Sequence, residues 1–184
     1  MLISKIISGG QTGVDRGAIE AALELGFPYG GLIPKGRLAE DGAVPEKFDR
    51  MEVAPRKDYL FRTEWNVTHS DATLIISNYN TEPTNGREIL TGGALRTEQF
   101  CLKHANPYLA LFAQNVSKAV DRIRGLGKEG IVLNIAGSRE SKSRGVQEST
   151  RLFICPLIEA VQQLDEFSAN GHDSEERSNN VHHS

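Results

Sequence analysis

Short apolar runs alternate with amphipathic stretches along the whole chain. Residues 2–8 are rich in Leu and Ile and stop at Gly9-Gly10, which predicts a buried strand. Residues 13–25 follow with Ala18, Ile19, Ala22 and Leu23 at helical spacing, so that face is expected against a sheet. Thr12 with Asp15 three residues on fits a capping box, and Gly26 suits the helix end. A short second strand is expected over 28–33, a helix capped by Asp58 running to about His69, and a strand over 72–77. Thr91-Gly92-Gly93 opens a helix to about His104. A strand over 107–112, a helix over 115–124 and a strand over 131–136 come next. The last helix is expected from Gly145 to Phe167, with Pro156 kinking or dividing it.

Two stretches break the alternation. Residues 35–57 are polar and carry Gly36, Gly42, Pro45 and Pro55, which predicts a long loop with little regular structure. Residues 78–90 form a second loop, with Pro83 and Asn85-Gly86 as turn signals, and read as a lid or an oligomer contact. From Ser168 the chain is Ser, Asn, Gly, His and charge, the composition of a disordered tail. The predicted organisation is one ligand-binding domain over 1–167 and a polar tail over 168–184. Strands alternating with helices predict an α/β, Rossmann-like fold: an open, mainly parallel sheet with helices on both faces.

Composition narrows the function classes. The chain has 184 residues and a net charge of −3, so no basic surplus points to nucleic acid or an anionic membrane. No apolar run could span a bilayer and none resembles a signal peptide, which makes the cytoplasm the expected location. Cys101 and Cys155 are far apart, with no CxxC and no Cys/His cluster, so neither a disulfide framework nor a metal site is expected. Both cysteines read as inert core residues.

In an open parallel sheet the ligand sits beyond the carboxyl ends of the strands. Three glycine-rich turns are predicted there. The first is Gly9-Gly10-Gln11-Thr12-Gly13 with Asp15; the second is Thr91-Gly92-Gly93; the third is Gly137-Ser138-Arg139 with Ser141. Glycines admit close approach of an anion, and helix starts offer unpaired amides with partial positive charge. Arg139 adds a guanidinium fork for phosphate, whereas Lys142 reads as solvated. The turns match neither GxxxxGK[ST] nor GxGxxG, so a P-loop and an NAD fingerprint are both disfavoured.

Glu98 falls on the stripe of Ala94, Leu95, Cys101, Leu102 and Ala105, expected to face inward. Two readings stand: a general acid/base or ligand-orienting carboxylate, and a carboxylate at the stripe's edge that reaches solvent. Arg62, Asn66 and His69 share one polar helix face. Lys35, Arg37, Glu40 and Asp41 belong either to a loop closing over a ligand or to an ordinary hydrophilic loop.

Together these segments resemble the molybdenum carrier family, a branch of the Rossmann-like ligand-binding domains that also include the cytokinin-activating LOG and lysine-decarboxylase-like proteins. The resemblance rests on the run from Gly9 to Gly17, GGQTGVDRG, and on Pro34-Lys35-Gly36-Arg37 with Ala39-Glu40-Asp41-Gly42. Arg62-Thr63-Glu64-Trp65-Asn66-Val67, Ser70-Asp71-Ala72-Thr73, Leu90-Thr91-Gly92-Gly93 and the run from Asn134 to Ser141 extend it to roughly residues 3–165. It implies a Rossmann-like fold and a homo-oligomer, dimeric or tetrameric, whose glycine-rich loops hold a phosphorylated small molecule. It brings Lys35, Arg62 and Asn66 into the expected ligand site.

The family name implies molybdenum cofactor as the ligand; a nucleotide is the other phosphorylated candidate. The LOG proteins hydrolyse nucleoside 5′-monophosphates and carry PGGxGTxxE, and the stretch from Thr91 to Glu98 reads as matching its two leading glycines and its glutamate. Thr91, Leu95 and Arg96 depart from that signature. A carrier of a phosphorylated cofactor is the favoured reading, and an N-glycosidic hydrolase using Glu98 is the alternative.

Overall fold

The most buried strand explains the sheet. In the computed structural model β7 (Ala72–Ile76) is buried at every position, as expected of a parallel strand covered on both faces. The structure describes residues 1–77, 90–111 and 115–179, with side chains through Leu164. β1 (Ile3–Ile7), β2 (Tyr29–Gly30), β8 (Tyr108–Leu111) and β9 (Ile131–Gly137) join β7 in one five-stranded sheet, ordered β2-β1-β9-β7-β8. Every pairing is parallel. All five carboxyl ends therefore lie along one edge, and the last strand in sequence fills the centre, between β1 and β7.

Helices α1 (Val14–Glu24), α2 (Tyr59–Thr68), α3 (Gly92–Lys103), α4 (Val116–Arg124) and α5 (Val146–Asn179) complete the α/β fold. Asp58 caps α2 by accepting from the Leu60 amide at 2.8 Å, and Asn115 caps α4 in the same manner. Gly26 follows α1 with φ of 61°. Pro156 lies inside α5 without dividing it. The helical trace of α5 passes the predicted end at Phe167, whereas the side chains of the expected polar tail lie outside the described residues, as do residues 78–89 of the second loop. Among the described residues no helix is long and apolar enough to cross a membrane.

Three local expectations are corrected. The predicted strand over 28–33 is split: Gly31, at φ of 116°, turns the chain out of the central sheet after β2. It then enters a second, two-stranded sheet, where β3 (Leu32–Ile33) pairs with β6 (Glu52–Val53). The long polar loop is pinned to the body rather than structureless. It contains the hairpin of β4 (Leu38–Ala39) and β5 (Gly42–Ala43), and it buries Val44, Phe48, Met51 and Ala54.

The capping box at α1 is absent. Gly13 occupies the cap position with no side-chain bond. Thr12 Oγ1 instead donates to the Glu40 carboxylate, and Asp15 turns to Arg62. Long-range partners outcompete the local motif.

Candidate functional site

The strand ends define the floor of one cavity, about 690 Å³ in volume. Gln11 and Thr12 come from the turn after β1, Asp15 from the first turn of α1, Ser77 from just past β7, Ala136 and Gly137 from the end of β9, and Ser138, Arg139 and Lys142 from the turn that follows it. α2 contributes Tyr59, Leu60, Arg62 and Thr63. The start of α3 contributes Thr91, Gly92, Gly93, Arg96 and Thr97. The volume falls in the range of sites for drug-sized ligands and cofactors.

At the floor, Arg62 Nη1 donates to Asp15 Oδ2 at 3.0 Å. Both residues are buried, and the Gln11 amide also donates to Asp15 Oδ2, at 3.3 Å. Burial raises the Asp15 carboxyl above its usual range, while Arg62 and the Gln11 amide pull against that rise. Gly9 lies directly beneath the pair; a β-carbon there would overlap Arg62 Nη1. Among the described residues two donors find no acceptor at this depth: Arg62 Nε and Gln11 Nε2. A buried donor without a partner costs free energy, so an acceptor supplied by a ligand would be stabilising there.

The amides that start α1 are engaged within the protein. Thr12 N–H donates to Gln11 Oε1 at 3.1 Å, Gly13 N–H to Gln147 Oε1 at 3.3 Å, and Val14 N–H to the Ser138 carbonyl at 3.1 Å. The start of α3 is different. Thr91 at its cap is extended and makes no side-chain cap bond. A helix has no internal acceptors for its first amides. Arg96, one turn in, lines the same cavity. Arg139 lies over the Tyr59 ring, 5.2 Å from its centroid, a cation–π contact.

The cavity thus gathers Gln11, Thr12, Asp15, Arg62, Thr91, Gly92, Gly93, Gly137, Ser138 and Arg139 from the sequence-predicted set. The others lie elsewhere. Gly10 faces Ile33 and Val44, and Gly13 packs against the backbone of the turn after β9. Lys35 is exposed and outside the lining.

Asn66 is buried and brackets Leu32, accepting from its amide at 2.8 Å and donating to its carbonyl at 3.2 Å. The face shared by Arg62 and Asn66 is therefore an inward one, while His69 stacks on Trp65 at the surface. Ser141 is bonded to Glu40.

Glu98 is half-buried and accepts from Tyr108 Oη at 2.9 Å, outside the cavity lining. The inward stripe of α3 is Ala94, Thr97 and Cys101. Leu95 and Leu102 face solvent, the latter 66% exposed. Register also separates Glu98 from the LOG signature. Counted from Gly92-Gly93, PGGxGTxxE puts its glutamate at the position held here by Gln99.

Sequence reasoning missed Tyr59, Thr63, Ser77 and Arg96. Tyr59 stands three residues before Arg62 on one helix face. Ser77 ends the cleanest strand, and Arg96 lies in the first turn after the second glycine pair. Each position was available to the reasoning that named its neighbour. Cys101 is buried, with its thiol raised by burial, and the described residues hold no cluster of metal-ligating side chains.

The family model described as "Circularly permutated YpsA SLOG family" matches residues 6–158. A crystal structure of a protein described as "Putative molybdenum carrier protein", from Syntrophus aciditrophicus, is similar to this chain with a TM-score of 0.73 and 39% sequence identity. The match covers 85% of this chain and 94% of that one. No curated protein matches the chain.

Proposed function

The chain belongs to the circularly permuted YpsA SLOG family, and from that premise we propose that it binds and carries a phosphorylated small molecule in the cavity at the strand ends. One observation carries the reading. Among the described residues, the charged groups lining the cavity are Arg62, Arg96, Arg139 and Lys142 against a single carboxylate, Asp15. A surplus of guanidinium groups at the end of a helix axis favours an anion, because charge-assisted hydrogen bonds and the helix dipole act in the same direction. The amides at the start of α1 already have acceptors, so the phosphate is assigned to the start of α3 and Arg96. Arg62 Nε and Gln11 Nε2 supply donors for carbonyl or ring nitrogen acceptors deeper in the cavity.

Molybdenum cofactor, a pterin with a terminal phosphate, fits this donor set, and the carrier name of the similar structure motivates it. Arg96 and the start of α3 would hold its phosphate, and Tyr59 beside Arg139 would flank its ring. No Cys or His is among the described lining residues, so the metal would arrive within the cofactor rather than bind the protein directly. When bound, the cofactor supplies its own redox chemistry; this chain supplies binding and orientation.

Denaturing the protein as isolated and identifying released small molecules by mass spectrometry tests the proposal. A phosphorylated pterin is the expected result. Release of free base from AMP would overturn carriage in favour of hydrolysis.

A further inference from the structure

The β4–β5 hairpin brings Glu40 to the rim of the cavity, where its carboxylate lies among donors from two other loops. Thr12 Oγ1 donates to Oε1, and the Ser141 amide donates to the same oxygen at 3.2 Å. Ser141 Oγ donates to Oε2 at 2.7 Å, and Arg139 Nη1 stands 4.0 Å from that oxygen. Two hydroxyls, a main-chain amide and a guanidinium form the donor set that proteins present to a phosphate or carboxylate. Thr12 and Arg139 also line the cavity, so this donor cluster opens onto the proposed ligand site.

The hairpin itself is anchored independently of Glu40. Arg16 holds Asp41 through Nη1 at 2.5 Å and Nη2 at 2.7 Å, and Arg37 donates to the carbonyls of Val44, Pro45 and Phe48. The Glu40 side chain is therefore free to change rotamer without the hairpin leaving its place.

We propose that Thr12, Ser141 and Arg139 form a second anion subsite, that Glu40 fills it as a resident counter-anion, and that a ligand with a second acidic group enters by displacing the Glu40 side chain. The inference rests on the anion-binding reading of the cavity. Burial works to raise the Glu40 carboxyl, but the bonds from Thr12 and Ser141 and the charge of Arg139 outweigh it and keep the group below its usual range. The carboxylate is thus ionised at neutral pH and competes directly with a second anionic group. A ligand with one anionic group, seated at α3, leaves Glu40 undisturbed.

Calorimetric titration with inorganic pyrophosphate separates this from a purely structural role. The wild type, Glu40→Gln, Glu40→Ala and Arg96→Ala are compared at low salt. Glu40→Gln keeps the shape and one carbonyl acceptor but removes the charge, so it is expected to bind pyrophosphate about fivefold more tightly than the wild type. Glu40→Ala is expected to shift the same way, and Glu40→Gln decides the matter if the alanine variant loosens the loop.

Unchanged or weaker binding by Glu40→Gln, with the wild type still binding and Arg96→Ala impaired, would overturn the subsite and leave the cavity reading intact. Absence of saturable binding in all four proteins would overturn both.

Discussion

Arg62 Nη1 lies 3.0 Å from Asp15 Oδ2, and the pair rests on the backbone of Gly9. Residues 47 positions apart in sequence are thereby joined at the floor of the cavity. Only a residue without a side chain admits this approach. Gly9→Ala is expected to push Arg62 off Asp15 and leave two buried charges without compensation, at a cost of about 3 kcal/mol. Urea unfolding of the variant should show a lower midpoint with little change in slope. A midpoint equal to that of the wild type would mean that the pair can shift without loss.

Much of the fold was legible because it is written locally. Asp58 and Gly26 mark helix ends, and the Ile-rich runs of β1 and β7 mark the strands that set the cavity edge. What was not legible depends on what packs over a residue. Arg62 and Asn66 share a helix face that sequence spacing describes equally well as solvated. The second sheet lies across it, and Leu32 makes Asn66 a structural residue. Thr12 and Asp15 satisfy a capping pattern, yet Glu40 and Arg62 take both side chains away from it. The glycine-rich turns were correctly placed at one edge, but spacing cannot show that the amides of Thr12, Gly13 and Val14 already have acceptors.

Asn66 offers a direct check of that distinction. Its amide group pairs with both the donor and the acceptor of Leu32. Asn66→Ala leaves two buried backbone groups unsatisfied and is expected to cost about 2 kcal/mol. Ligand affinity, measured at a temperature where the variant stays folded, should be unchanged because Asn66 does not line the cavity. A selective loss of affinity at full stability would return Asn66 to the site.

Arg96 makes the opposite prediction. It is exposed, lines the cavity near the start of α3, and donates to Gln99 Oε1 at 2.9 Å. Arg96→Ala should change stability by less than about 0.5 kcal/mol. It should weaken binding of a phosphorylated ligand about tenfold and reduce the salt dependence of that binding. Titration of wild type and variant at two salt concentrations reads both effects. Equal affinity and equal salt dependence would remove Arg96 from the phosphate site.

The acid limb of stability should reveal carboxylates acting with opposite signs. Arg16 hydrogen bonding holds Asp41 below its ordinary value of 3.8, outweighing burial. For Glu40 burial acts upward, but its donors hold it below 4.5. Groups depressed in the folded state contribute stability that is present above the unfolded value and lost as pH falls through the folded one. Stability from Glu40 and Asp41 is therefore intact at neutral pH and decays below about pH 4.5. Asp15 is raised by burial. The folded state binds its proton more readily than the unfolded chain does, so acidification from above 3.8 down to that unfolded value adds stability and offsets part of the loss. Urea midpoints measured from pH 7 to 3 should fall less steeply in Glu40→Gln and Asp41→Asn than in the wild type, and more steeply in Asp15→Asn. Parallel curves for all four proteins would show that these carboxylates titrate alike in the folded and unfolded chains.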